Sequence, residues 1–185
     1  MNVSTLNAGG LDDQVFAGRS LLASSHRETV EAEVSRTLRP HRLAVLGRGK
    51  TLATRMDHLP LGRFSLVRLR YGAPVDVDPG RLDTCYLVSL PTAGHAAFHG
   101  GDQFVDTGPG QAGVVSPSAA FRTRMDGQFS QIIFRFERER VEACCAALLG
   151  RPVERPIEFA LSLPLASQAG QLFSHLRHAT LLQAA

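Results

Sequence analysis

The fold is decided by residues 85–125, which read CYLVSLPTAGHAAFHGGDQFVDTGPGQAGVVSPSAAFRTRM. In this stretch, short apolar runs alternate with turn signals rich in Gly and Pro, roughly every 8 to 12 residues. Such spacing is typical of the short strands of an all-β sandwich or barrel. The pair Gly100-Gly101 predicts a two-residue hairpin turn between two of these strands, because such a turn needs residues with positive φ.

The same period of two continues on both sides of this stretch, from Leu43 to Phe136. It predicts about eight short strands in all. The clearest candidates lie at 64–71, 84–90, 95–99, 113–116, 121–125 and 131–136. A further run at 103–105 would pair with 95–99 across the hairpin turn.

A helical period replaces the strand period towards both ends of the chain. Ser25 stands three residues before a Glu, which is the spacing of a capping box, and predicts a helix over 26–39. A second helix is predicted over 137–149, where Gly150 ends the pattern. From Pro164 onward, apolar residues recur at helical intervals up to the last residue without a final cap, and this predicts a fragment of a longer protein.

Composition limits the class of protein. The chain has 185 residues, of which 44% are hydrophobic and 20% are charged, and this balance predicts one globular domain with a substantial core. No apolar stretch approaches the roughly 20 residues of a membrane helix, and the N-terminus lacks a signal-peptide pattern, so we expect no membrane association and a cytoplasmic protein. The three Cys residues predict free thiols. A net charge of +3, spread along the chain, is too weak to indicate nucleic-acid binding.

Motifs for catalysis are scarce. The string GRGKT at 47–51 lacks the Gly spacing, the preceding strand and the following helix of a phosphate-binding loop. The chain has no G-x-S-x-G motif, no suggestive Cys/His pair and no paired carboxylates in an apolar run. We therefore expect no catalytic residue, no metal and no cofactor.

Two predicted strands carry Arg side chains on one of their faces. That face holds Arg68 and Arg70 in the first strand, and Gln131, Ile133 and Arg135 in the second. If it points inward, the guanidinium groups would line a cavity that suits an anionic or polar small ligand. The alternative is an outer wall on which the Arg side chains are solvated or paired with acidic residues, namely Asp76, Asp78 or Glu137.

Four collinear stretches resemble the N-terminal, cupin-like ligand-binding half of AraC/XylS-type bacterial transcription regulators. They are LRPHRLAVLG at 38–47, LPLGRFSLVRLRYGAPVDVDPG at 59–80, the stretch at 85–125, and QIIFRFERERVEACCAALLGRPVERPIEF at 131–159. The resemblance implies a mainly β, cupin-like jelly-roll barrel with an N-terminal helix and two C-terminal helices. In such regulators, a separate domain with two helix-turn-helix units reads DNA, and we expect that domain to be absent from this chain.

The expected organisation has three parts. Residues 1–25 show no sustained period and predict an N-terminal arm that Phe16, Leu21 and Leu22 could anchor. Residues 26–160 would form the effector-binding barrel with its flanking helices. Residues 161–185 would form an amphipathic helix through which the resemblance implies a homodimer.

The resemblance also implies where an effector and a partner subunit bind. Family effector sites lie inside the barrel. The matching positions are Arg70, Phe121, Thr123, Gln131, Ile133 and Arg135, and we add Arg68 because it shares a strand face with Arg70. The expected dimerisation residues are Leu165, Leu172, Phe173 and Leu176. The alternative for this stripe is that it packs only on its own barrel.

Two other functions stay open. The first is a metal-dependent cupin enzyme or sugar-binding barrel that uses His95 and His99, although Ala97 stands where a cupin motif would place a second close His. The second is a regulator-like barrel with a filled interior whose parent responds to another protein.

Overall fold

Two antiparallel β-sheets and four helices make up residues 8–62 and 64–184, which are the residues described by the structure, a computed structural model. The helices are α1 (Ala8–Val15), α2 (Arg27–Thr37), α3 (Arg138–Leu149) and α4 (Gln168–Ala184). The strands are β1 (Ser20–Ser24), β2 (Arg42–Val45), β3 (Thr54–Pro60), β4 (Phe64–Arg70), β5 (Val75–Arg81), β6 (Cys85–Ala93), β7 (Ala96–Gly100), β8 (Gln103–Thr107), β9 (Gln111–Val115), β10 (Ala120–Met125), β11 (Ser130–Glu137) and β12 (Ser162–Pro164). No helix within the described residues is long and apolar enough to cross a membrane.

The two sheets stack as a jelly-roll-like sandwich. The larger sheet has seven strands in the order β1-β3-β4-β11-β6-β9-β12, and the smaller has five in the order β2-β5-β10-β7-β8. The prediction of a mainly β chain with flanking helices is confirmed. Two details differ from it: the sheets stay open at their edges instead of closing into a barrel, and α1 adds a helix before the predicted ones.

The six clearest predicted strands correspond to β4, β6, β7, β9, β10 and β11. The hairpin turn between β7 and β8 lies one residue later than predicted, because Gly100 is still paired with Gln103 and Gly101 is the residue with positive φ, 56°. The pair Pro79-Gly80 predicts a turn but lies inside β5. A bulge opposite β10 accommodates it, and a bulge is one of the few places where a sheet tolerates Pro.

Burial on both faces distinguishes the centre of the larger sheet. On its inner face, Leu69 of β4 and Ile133 of β11 join the core between the two sheets. On its outer face, Leu66, Ile132 and Phe134 join a second core beneath α1 and α4. Continuous apolar runs in these strands follow from this two-sided burial.

The N-terminal segment packs against the larger sheet. Leu11 and Val15 of α1, with Phe16 directly after it, are buried in the outer core, and β1 extends the sheet by pairing with β3. Phe16 is therefore an anchor, as predicted, whereas Leu21 is exposed. Asp12 of α1 accepts a hydrogen bond from Arg177 of α4, so the two ends of the described chain meet on this face. The first seven residues of the predicted arm lie outside the described residues.

Asp76 of β5 forms the main charge cluster on the smaller sheet. Its carboxylate accepts hydrogen bonds from Arg122 at 2.6 and 2.9 Å and from Arg124 at 3.3 Å, both on the neighbouring β10. The hydrogen bonds from Arg122 hold the pKa of the Asp76 carboxyl below its ordinary value, although burial of the carboxyl opposes this shift. The ionised carboxylate therefore stabilises the folded chain.

The packing of the two sheets on each other depends on a glycine. Gly113 of β9 faces the ring of Phe98 of β7, and a Cβ atom at position 113 would lie 2.0 Å from Cε2 of that ring. Phe98 in turn meets Phe121 edge to face, with 5.2 Å between the ring centroids. Only a residue without a side chain lets β9 lie this close to the aromatic pair.

We expect replacement of Asp76 by Asn to destabilise the fold at neutral pH and to do so less as the pH falls. Since the folded pKa of Asp76 lies below the unfolded value of about 3.9, its contribution is present above that value and is lost as the pH falls through the folded pKa. Urea unfolding of wild type and Asp76→Asn at pH 7 and pH 3 measures this. The exposed Asp106→Asn is the control, and a gap between wild type and Asp76→Asn that stays constant with pH would contradict the assignment.

We expect Gly113→Ala to lower the free energy of unfolding by about 1–3 kcal/mol, the usual cost of overpacking a core. Gly10→Ala is the matched control, because a Cβ at that helical position meets nothing within 4 Å. Chemical denaturation of both variants tests the contact. A Gly113→Ala variant as stable as wild type would show that Phe98 moves aside freely.

Candidate functional site

A cavity of about 70 Å³ lies between the two sheets. Its wall takes side chains from β4 and β11 of the larger sheet and from β5, β7 and β10 of the smaller one. One end is covered by Val34 of α2 and by Leu38, Arg39 and His41, which follow that helix. Both sheets and one helix with its connecting segment therefore contribute to the wall of the cavity.

Strand alternation explains which side chains reach the cavity. In β10, Phe121, Thr123 and Met125 are buried and line the cavity, whereas Arg122 and Arg124 between them are exposed. The same alternation in β11 directs Gln131 and Ile133 into the cavity. Its wall is almost wholly apolar as a result.

A few polar groups interrupt the apolar wall. Ser89 Oγ donates a hydrogen bond to Gln131 Oε1, and the Gln131 amide nitrogen has only the sulfur of Met125, 4.0 Å away. The hydroxyl oxygen of Thr123 is buried and has no hydrogen-bond partner within residues 8–62 and 64–184. Burial also raises the pKa of the Tyr71 phenol in this wall.

His41 contributes an unpaired ring nitrogen. Its Nδ1 lies 3.0 Å from the carbonyl oxygen of Arg39 and 3.1 Å from Ser35 Oγ. Burial lowers the pKa of the imidazole, and the neutral ring has one nitrogen that donates and one that accepts. Nε2 is buried and has no hydrogen-bond partner in the described structure.

Arg39 is the one residue with a fixed charge among the described residues that line the cavity. Its guanidinium group donates to Asp83 Oδ2 at 2.8 Å, so an acidic partner already occupies it. The cavity wall therefore offers hydrogen-bonding groups but no free cation.

The structure separates the predicted ligand residues into two groups. Phe121, Thr123, Gln131 and Ile133 line the cavity together. Their role in binding a ligand stays a prediction, but their common location is the one that the prediction requires.

The three Arg side chains lie elsewhere, so the expectation that they line the cavity is corrected. Leu69 of β4 faces inward, and its neighbours Arg68 and Arg70 therefore face outward. Arg68 donates to Asp57 and Asp13 at 2.7 and 2.6 Å. It also lies over the ring of Phe16, 4.9 Å from its centroid.

By the alternation of β11, Arg135 is on the same face as Gln131 and Ile133, but it does not line the cavity. It pairs with Glu137, one of the acidic partners that the sequence suggested for an Arg on the wall. Sequence reasoning missed Ser89, Phe98 and His41 in the cavity wall. Ser89 could have been found as a polar residue inside an apolar run, whereas the position of His41 depends on how the segment after α2 folds.

The other candidate residues lie on surfaces. His95 and His99 are exposed, and His99 packs on the ring of Phe104 with 4.8 Å between the centroids. Within residues 8–62 and 64–184, no group of three or more His, Cys, Asp or Glu residues is placed to hold a metal ion. A metal centre at His95 and His99 therefore finds no ligand cluster in the described chain.

The four predicted dimerisation residues, Leu165, Leu172, Phe173 and Leu176, fall into a partly buried pair and an exposed pair. Phe173 packs edge to face on Phe134 of β11, with 5.1 Å between the centroids, and Leu165 packs against the same outer core. Leu172 and Leu176 are 60% and 58% exposed. One half of the stripe thus packs on its own sheet, and the other half is open.

Comparison with solved structures shows the fold. The chain is similar to the AraC-like transcriptional activator CuxR, with a TM-score of 0.62 and 14% identity over 84% of this chain and 56% of CuxR. It is also similar to a putative glyoxylate-induced protein from Pseudomonas aeruginosa, with a TM-score of 0.46 and 17% identity over 63% of this chain and 46% of that one. The protein Ylba from E. coli has a TM-score of 0.47 and 9% identity over 84% of this chain and 59% of its own. The chain spans about half the length of these proteins.

The sequence itself matches the family model of the AraC-binding-like domain over residues 30–184. No curated protein has a significant match to it. The resemblance that the four collinear stretches predict is thereby confirmed. Since the match covers most of the chain, including every strand of the smaller sheet and the segment that covers the cavity, this protein belongs to the AraC-binding-like domain family.

Proposed function

We propose that this chain is the effector-sensing and dimerisation module of a bacterial AraC/XylS-type transcription regulator, and that it is not an enzyme. Its effector is a small organic molecule that binds in the cavity between the sheets. The observation that carries this proposal is a space between the sheets whose wall residues include buried polar atoms without partners among the described residues, such as Thr123 Oγ1. Buried polar groups are normally hydrogen-bonded, so unpaired ones in residues that line a space favour a binding site over a structural core.

The cover of the cavity supports a route from effector to output. Only Val30 and Val34 of α2 are buried, and Val34 lines the cavity. A ligand that alters the packing beneath α2 would act on β1 and α1, which precede it in the chain, and α1 is joined to α4 by the Asp12–Arg177 hydrogen bond. The effector acts by binding one arrangement of these elements more tightly than the other, since equal affinity for both would switch nothing.

Dimerisation would use the open half of the α4 stripe. Leu172 and Leu176 lie one helical turn apart on the same face, and exposed leucines in such a row favour contact with an apolar surface. Two modules joined in this way would present two DNA-binding domains, each a helix-turn-helix domain outside this chain. The regulator would act in the cytoplasm, where its DNA is.

We expect a ligand of the cavity to raise the melting temperature of the chain by about 5–10 °C when present at about 100 times its Kd. Small carboxylates, aromatics and sugars form the panel for a thermal-shift screen. Ile133→Phe fills the cavity and should abolish the shift, whereas Arg70→Gln, on the outer face, should keep it. An equal shift in Ile133→Phe, or no shift with any class in wild type, would overturn the proposal in favour of a filled interior.

We expect Leu172→Asp and Leu176→Asp to convert a dimer into a monomer, because a buried, unpaired carboxylate in the interface is costly. Light scattering over a concentration series measures the mass. Leu148→Asp is the control, since this leucine is even more exposed to solvent than Leu172 and Leu176 but lies on α3. A monomeric wild type, or α4 variants with unchanged dimer mass, would contradict dimerisation through α4.

A further inference from the structure

The polar atoms of the cavity define the hydrogen bonds that a ligand can make. Thr123 is 2% exposed and lines the cavity, and its hydroxyl oxygen has no hydrogen-bond partner among the described residues. The amide nitrogen of Gln131 is a donor, and the partner that the described residues give it is a weak acceptor, the sulfur of Met125. His41 Nε2 is likewise buried without a partner in the described part of the chain. Together, these groups match a ligand atom that both donates and accepts, and a hydroxyl group does so.

The charges around the cavity disfavour an ionised ligand. Arg39, at the covered end, is engaged by Asp83, while Arg68 and Arg135 are paired with acidic residues away from the cavity. A carboxylate moved into this wall would lose its hydration without gaining a free cation, and an unpaired buried charge is very costly. Of the anionic and polar ligands that the sequence left open, these charges favour the polar, uncharged one.

The size and the walls of the cavity favour a compact ring. The space of about 70 Å³ is smaller than the roughly 150 Å³ of a cavity that holds benzene. A ring can therefore enter only if a side chain of the wall moves. Met125 is suited to this, because its unbranched thioether chain adapts its shape at low cost. Phe98 and Phe121 provide an aromatic surface on the smaller sheet.

We infer that the cavity takes an uncharged, hydroxylated ring of the phenol class, with its ring against Phe98, Phe121 and Met125 and its hydroxyl group bonded to Thr123 and its polar neighbours. This inference rests on the proposed function, since it names the chemistry of the effector of that site. Rearrangement of Met125 accompanies binding.

Three probes on the same ring test the assignment, namely phenol, toluene and benzoate. At pH 7 phenol is uncharged, with a pKa of about 10 like that of Tyr, and benzoate is ionised. Binding is followed by NMR on chain labelled with ¹³C in the Met methyl groups. Met125 lines the cavity, whereas Met56 is fully buried outside its wall and is the internal control. Met125→Leu assigns the signal.

We expect phenol to shift the Met125 signal and to bind at least about fivefold more tightly than toluene or benzoate. Thr123→Val keeps the shape of the side chain without its hydroxyl and should weaken phenol about fivefold, the usual size for one hydrogen bond, while leaving toluene unchanged. Thr92→Val, an exposed threonine of β6, is the matched control and should change neither.

The outcomes separate this inference from the proposed function. Tighter binding of benzoate with a shift of Met125 would leave the cavity as the effector site but overturn the uncharged class. Equal binding of phenol and toluene would overturn the role of the hydroxyl group. If no probe shifts Met125 while another class from the thermal-shift panel binds and is blocked by Ile133→Phe, the ring class is wrong and the site stands. Failure of that panel as well would overturn both.

Discussion

Burial of β11 on both of its faces is the constraint on which the rest of the structure depends. Ile132 and Phe134 point to the outer core beneath α1 and α4, and Gln131 and Ile133 point to the cavity. Because neighbouring side chains of a strand point to opposite faces, a register slip of one residue would exchange these two sets. One strand thus links the wall of the cavity to the layer in which the two ends of the described chain meet.

The distribution of charge follows from the same alternation. In β10, the inward residues are apolar or hydroxylated, and the outward Arg122 finds Asp76 on β5. In β4, the outward Arg68 finds Asp57 on β3. Charged groups paired on the outer surfaces leave an interior of apolar side chains and a few neutral polar ones. If the proposed effector binds in such an interior, shape and hydrogen bonding would select it more than charge.

Local pattern predicted much of this fold. Alternation and turn residues located six strands, and the ends of α2 and α3 lie within two residues of their predicted positions. The family resemblance, and not the local pattern, implied Thr123 and Gln131 as ligand residues, and both line the cavity. The local pattern was less informative for β5, whose Pro79-Gly80 pair resembles a turn, and for the segment around His41, whose place depends on the docking of α2. For Arg68, alternation predicted which residues of β4 share its face, but not whether that face points to the interior or to the outside.

The sequence by itself determined the β class of the chain, its family and the division of each strand into two faces, because these depend on neighbours along the chain. Only the tertiary structure decided which face points inward, that the sheets stay open, and that α4 buries Phe173 while leaving Leu172 exposed. A period of two is symmetric between the faces of a strand, so it contains no information about which face is covered. The stacking of distant segments breaks that symmetry. For this reason, the cavity and the absence of free charges from its described wall follow only from the tertiary structure.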